Sequence, residues 1–329
     1  MTRFKFKNLK KPLLIAEIGN NHEGSFIRAK KLIDLAKEAG ADAVKFQTIK
    51  PELYYHEKEK KQLKKYQKFK LTELQFKKLS IYSKQKKLLF ISTPFDLKSA
   101  NFLKNIVDVI KISSGDNNFL PLIDKCISFD KPIIISTGLL TEKEINRLYK
   151  YLSRKITQNK ICLLHCVSSY PVDPKIANIG FIKKMKKKYS NITIGYSDHT
   201  IGPYGSIIAT LMGSMVIEKH FTDDKNFSSF RDHNLSADKN ELLVISNFLK
   251  YYKVYLGKGE KIELENIEKK NYKNLRRSVY AIKNIKRNDK FNEQNIAILR
   301  PYKFDNIGNY KKIINKRSVK FYKAGDLID

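Results

Sequence analysis

The sequence predicts a (β/α)8, or TIM, barrel followed by a small, mostly β module. Three observations carry this. Eight short apolar runs occupy the first two-thirds of the chain, and an amphipathic helical stretch follows nearly every one. Each run also ends in polar, chemically capable residues. Eight βα units in series close into a barrel whose strand C-terminal ends converge on one face, where such barrels keep their active sites. Glu17, Lys45, Thr93, Lys111, Ser114, Ser197, His199 and His220 are therefore expected to meet in one bowl.

In chain order the strand runs are LLIAEIGNNH, AVKFQT, LLFISTPF, VIKISSGD, PIIISTG, ICLLHCVSSYP, TIGYSDHT and MVIEKHF. Helical patterns fill 25–39, 72–86, 97–105, 119–129, 142–156, 176–188 and 202–212. Ser25 and Thr141 read as N-caps and Gly40 as a C-cap. Residues 50–71 form a long polar insertion after the second strand, a candidate lid over the catalytic face. A last helix over 234–255 closes the barrel. The catalytic barrel domain is thus expected over 1–256. The charged stretch 257–274 reads as a linker, and short β-like runs over 275–329 read as the small module.

The 329 residues suffice for one large core and a small one. Three cysteines, Cys126, Cys162 and Cys166, make no disulfide framework, and the odd count favours a reducing cytosol. Cys162 and Cys166 read as small buried strand residues. There is no 18-residue apolar span, and the basic N-terminus lacks an apolar h-region, so a cytoplasmic protein is expected. The net charge of +32 raises nucleic acid and anionic membrane as partners. The charge is mostly lysine and dispersed over runs such as 57–70 and 183–190. It therefore reads as solvated faces, with neither partner expected.

Lys45 and Lys111 end apolar strands, and a lysine there needs an opposing negative charge. That charge is either a bound anion or a neighbouring carboxylate in a structural ion pair. His199 and His220 end the seventh and eighth strands, which are barrel neighbours. Two imidazoles so placed can share one divalent ion and leave positions open for water and a carbonyl oxygen. Glu17, ending the first strand, is the best acid/base candidate, and an ion pair with Lys45 or Lys111 is its structural alternative. His22 reads as a loop-structuring residue and His165 as a buried strand polar.

With AEIGNNHEGS, DAVKFQT, ISTPFD, KISSGD, PIIISTG, LLHCVSSYP, GYSDHT, VIEKHFT and the tail strings RRSVYAIKNIK and LRP in family order, the chain resembles the sialic acid synthases. These make N-acetylneuraminate, legionaminate or pseudaminate. The resemblance implies a TIM barrel joined to a C-terminal antifreeze-like (SAF) domain. It also implies a homodimer in which each SAF domain leans over the partner's site. The implied reaction condenses phosphoenolpyruvate with an N-acylmannosamine-type aldehyde and releases phosphate, with Mn²⁺ or Mg²⁺ required. Lys45, Thr93, Lys111, Ser114, Ser168 and Ser197 then become phosphoenolpyruvate ligands, and His199 and His220 the metal ligands. Glu17 and Asp116 become the catalytic carboxylates, and Gln47, Tyr170, Asp232 and Arg300 contact the sugar. The chain departs from the family at FRDHNLS (230–236), where relatives have Gly-Pro-Asp-His, and at RPYKF (300–304). Arg231 is one such departure, and both bear on which sugar fits.

Two other readings compete. One is a condensing enzyme of the 3-deoxy-heptulosonate type, which takes phosphorylated aldoses. The SAF-like tail and the SDHT and EKHFT strings argue against it. The other is a non-catalytic basic protein binding nucleic acid or acidic glycan, against which the intact bowl residues speak.

Overall fold

The structure, a computed structural model, describes residues 4–261, 263–305 and 307–329. Eight parallel strands form the predicted closed barrel: β1 Leu13–Gly19, β2 Ala43–Thr48, β3 Leu89–Pro94, β4 Val109–Ile112, β5 Ile133–Ser136, β6 Ile161–His165, β7 Thr193–Asp198 and β8 Val216–His220. Each strand pairs with the next, and β8 returns to pair with β1, with Glu17 opposite both Lys45 and His220. Side chains along a strand alternate between faces, so every second residue enters the barrel. Leu13, Ile15, Ala43, Ile91, Val109, Ile134, Cys162, Leu164 and Val216 make one buried interior cluster, joined by Phe6 from the turn before β1. Two residues further along several strands, the same parity carries Glu17, Lys45, Thr93, Lys111, Ser136, Cys166 and Glu218. The apolar plug thus ends where the polar bowl begins. Residues of the opposite parity, among them Leu14, Ala16, Val44, Phe90 and Ile217, pack against the surrounding helices in a second, larger core.

The predicted caps are present. Ser25 accepts from Arg28 N before helix Phe26–Glu38, and Thr141 forms a capping box with Glu144 before helix Glu142–Ser153. Gly40 ends the first helix at φ 81°. Three segments differ from expectation. The insertion 50–71 contains a helix, Lys60–Phe69, whose Leu63, Tyr66 and Phe69 share one face. Within 176–188 the helix runs only from Phe181 to Lys188, because Asn178 adopts φ 45°. The last helix is broken in two, Arg231–Leu235 and Lys239–Leu256. Between them Ala237 donates its N–H to His220 O and accepts from Thr222 N, so a bridge to the chain beyond β8 replaces helical bonds there.

The chain divides into two compact units, Met1–Tyr255 and Leu256–Asp329. In the second, β9 Ser278–Ala281 and β10 Ile296–Leu299 pair antiparallel over a core of Val279, Ala281, Ile285, Phe291, Ile296, Tyr322 and Ile328. A helix, Asn266–Leu275, lies in the stretch whose composition reads as a linker. Among the described residues no helix is long and apolar enough to cross a membrane.

Candidate active site

The bowl holds a deep polar recess of about 50 Å³ that continues into an outer chamber of about 250 Å³. Gln47, Phe95, Ser113, Ser114, Tyr170 and His220 line both and form the neck between them.

Four buried charges meet at the floor of the recess. Glu17 Oε2 lies 2.8 Å from Lys45 Nζ, Lys45 Nζ lies 3.8 Å from Glu218 Oε2, and Lys111 Nζ lies 3.3 Å from Glu218 Oε1. The structural ion pairs entertained for both lysines and for Glu17 are therefore present. Lys45 also donates to Thr93 Oγ1 at 3.4 Å, and Ser197 donates to Glu218 Oε1 at 2.9 Å. Two cations and two anions balance, but the carboxylates are not equivalent. Burial raises Glu17, and Lys45 offsets only part of that while the nearby Glu218 adds to it. Burial also works against Glu218, yet Lys111, Lys45 and the Ser197 hydroxyl outweigh it and hold the group at about 2. Glu218 is thus a fixed counter-ion and Glu17 a group poised to exchange a proton, a division of labour that environment alone imposes. Burial pulls Lys111 down, and Glu218 opposes the fall.

Glu218 is the main residue that the reading by strand ends passed over. It shares parity with Val216 and His220, and strand alternation alone would have found it. Ser136 was passed over as well, and Cys166, expected only as a small buried strand residue, also lines the recess. Cys166 Sγ lies 3.8 Å from His199 Nδ1, whereas Cys162 belongs to the apolar interior.

His199 and His220 lie side by side, ring centroids 5.5 Å apart, with Tyr170 packed on His199 at 4.2 Å. His199 Nδ1 bonds Val167 O at 3.0 Å, leaving Nε2 toward the recess side where Ser197 Oγ lies at 3.5 Å. Burial holds His220 at about 3, hence neutral, and its buried Nδ1 has no hydrogen-bond partner. A ring fixed through a carbonyl and a second ring with an unused nitrogen are what imidazole ligation of a divalent ion requires. Among the described residues no three or more His, Cys, Asp or Glu side chains are grouped to hold a metal. An ion here would take its remaining ligands from water or a bound molecule.

Ser136 Oγ and Ser168 Oγ are also buried without a partner. Ser136 faces the recess and Ser168 the outer chamber, so both polar cavities carry unmet hydrogen bonds. A Cβ at Gly138 would collide with the hydroxyls of Ser168 and Ser114, so glycine there keeps them in place.

The outer chamber is walled by Tyr54, Tyr66, Phe95 and Tyr170, with Arg231 and Asp232 at one side. Tyr66 comes from the insertion helix. Arg231 stacks over Tyr170 at 4.7 Å and sits 3.4 Å from Asp232 Oδ1. One expected residue of the barrel unit lies apart from these cavities. Asp116 is buried in the turn after β4, where Ser113 donates to it at 2.5 Å, and lines neither chamber. Arg300 belongs to the second compact unit, where it is exposed and donates to Leu275 O at 2.8 Å. His22 accepts from Gly24 N at 3.0 Å, as a loop-structuring residue does, and His165 is bonded to Ala177 O.

The sequence pattern of the NeuB family matches residues 32–261. The chain belongs to the NeuB family. An N,N'-diacetyllegionaminic acid synthase of Campylobacter jejuni is 36% identical over 97% of this chain and 99% of its own length. A pseudaminic acid synthase of the same organism is 33% identical over 98% and 97%. The crystal structure of an N-acetylneuraminic acid (sialic acid) synthetase from Leptospira borgpetersenii superposes with a TM-score of 0.72 at 33% identity. That match covers 79% of this chain and 90% of the other. This NeuB-family chain is therefore an enzyme, a transferase of the sialic acid synthase type.

Proposed function

We propose that the enzyme condenses phosphoenolpyruvate with an N-acylmannosamine-type sugar to give a nonulosonic acid and phosphate. The observation that carries this reading is the two-tier cavity. A small recess with two lysines and several hydroxyls suits a compact phosphorylated carboxylate, and a larger aromatic chamber beyond suits an acylated sugar. Lys45 and Lys111 bind the phosphoenolpyruvate anion, with Thr93, Ser114 and Ser197 donating to its oxygens from the recess and Ser168 from the side of the outer chamber. Gln47, Tyr170 and Asp232 orient the sugar. Asp116, which lies one turn away, shares proton traffic through the Ser113 hydroxyl.

C3 of phosphoenolpyruvate attacks the aldehyde carbon, whose oxygen takes up a proton, and positive charge develops at C2. Water adds to C2 and gives its proton to Glu17. The bond between C2 and the phosphate-ester oxygen then breaks, phosphate leaves with that oxygen, and the remaining hydroxyl proton passes to solvent, balancing the one the aldehyde oxygen took up, to give the α-keto acid. Mn²⁺ or Mg²⁺ held by His199 and His220 would supply Lewis-acid polarisation of the aldehyde oxygen. Glu218 keeps both lysines charged before the substrate arrives.

The reading includes the cytoplasm as location and a homodimer in which Arg300 reaches the partner's acceptor sugar. An Arg300→Ala variant should raise the sugar KM and leave that for phosphoenolpyruvate unchanged. The main test is phosphate release from phosphoenolpyruvate with Mn²⁺ against N-acetylmannosamine, 6-deoxy-2,4-diacetamido hexoses, and arabinose and erythrose phosphates. Release with one acylated sugar supports the reading. Turnover of a phosphorylated aldose instead would move the enzyme to the heptulosonate type.

A further inference from the structure

Beyond β1 the chain makes a device that the reaction as proposed does not use. The β1–β2 register slips between Glu17 and Gly19, and Gly19 turns the backbone at φ 53°. A Cβ at Gly19 would lie 3.1 Å from Glu17 Oε1 and 3.3 Å from Gln47 Nε2. The slip brings Asn20, buried and 2% exposed, over the Gln47 amide. Asn20 Nδ2 donates to Gln47 Oε1 at 2.7 Å, and Gln47 Nε2 donates to Glu17 Oε1 at 3.1 Å. The other Glu17 oxygen is the one paired with Lys45.

We propose that Asn20 is a positioning residue that acts through Gln47 on Glu17. By occupying the Gln47 carbonyl oxygen it commits the NH2 group to Glu17, and so holds the carboxylate as an acceptor in one orientation. An amide has a donor end and an acceptor end, and only its partner on the far side decides which end faces the carboxylate. Gln47 is then a strut as well as a wall of the neck. The inference rests on the reading of Glu17 as the group that takes the water's proton. The charged groups around Glu17 are Lys45 from β2, Lys111 from β4 and Glu218 from β8, with His220 opposite it in register.

The substitution Asn20→Asp decides the matter because a carboxylate can only accept. Gln47 must then turn its NH2 toward position 20 and present its carbonyl oxygen to Glu17, which disfavours the ionised form. In protein labelled with 13C at glutamate carboxyls, the Glu17 resonance is assigned by its loss in Glu17→Gln. Its titration midpoint should rise by about one pH unit in Asn20→Asp and by a few tenths in Asn20→Ala, where the amide is no longer committed. The corresponding limb of the kcat–pH profile should move with it, and the KM for phosphoenolpyruvate should stay within about threefold. A shift in Asn20→Asp with none in Asn20→Ala would be a Coulomb effect of the new charge and would overturn the relay, as would no shift in either. Should Asn20→Asp fail to fold, the Asn20→Ala titration decides alone. A moved titration with an unmoved rate profile would leave the relay standing and remove Glu17 from the chemistry.

Discussion

Glu218→Gln replaces the fixed counter-ion of the recess with a neutral group of nearly the same shape. Wild-type Glu218 is held at about 2 against an ordinary value of 4.5, with its side chain only 5% exposed. A depression of that size corresponds to roughly 3 kcal/mol of native-state stabilisation, the same order as the cost of stranding one partner of a buried ion pair. For a unit of this size the melting temperature should fall by about 6–12 °C at neutral pH. The sign with pH follows from the direction of the shift. A depressed carboxylate stabilises above its unfolded value, so the gap between variant and wild type should be full above pH 4.5 and shrink as the pH falls toward 2. The variant recess carries two lysines against one carboxylate, a net positive charge where the wild type has none. Inorganic phosphate should therefore stabilise the variant more, recovering about 2–3 kcal/mol near a hundred times its Kd. The assay is calorimetric melting in a zwitterionic buffer with and without phosphate. A variant that melts with the wild type, or a phosphate effect equal in the two, would refute the charge-balance reasoning.

Three other outcomes are expected. Gly138→Ala should push the Ser114 and Ser168 hydroxyls aside and weaken phosphoenolpyruvate binding about tenfold by calorimetry, with the melting temperature little changed. His220→Gln should raise the Mn²⁺ concentration for half-maximal rate by at least about tenfold, with the far-ultraviolet spectrum unchanged. Thr72→Ala removes a complete capping box from helix Glu73–Gln85 and should cost about 1 kcal/mol, read as a melting shift of about 2–4 °C without loss of activity.

The barrel was legible because its strands are unbroken apolar runs bounded by helices, a pattern that few folds share. The bowl was legible at strand termini, where lysines and histidines stand out against apolar neighbours. Glu218 shares the inward parity that alternation reads, but its role as counter-ion could not be read, because it depends on Lys45 and Lys111 arriving from strands far away in sequence. Asn20 was hidden for a different reason. Its contact depends on a one-residue slip at Gly19, and composition carries no signal for such a slip. The break at Ser236 also escaped periodicity, since helix patterns continue on both sides and a tertiary bridge through Ala237 decides the matter. Arg231 could be seen as a departure from relatives, but its stacking on Tyr170 could not.

The central claim is that carbon–carbon bond formation in this bowl is coupled to loss of phosphate from C2. Phosphoenolpyruvate carrying 18O in the bridging oxygen tests it most directly, with mass analysis of both products. The account predicts that the label leaves entirely in the phosphate and that the sugar gains three carbons. Label kept in the organic product, or phosphate released without a lengthened sugar, would contradict it.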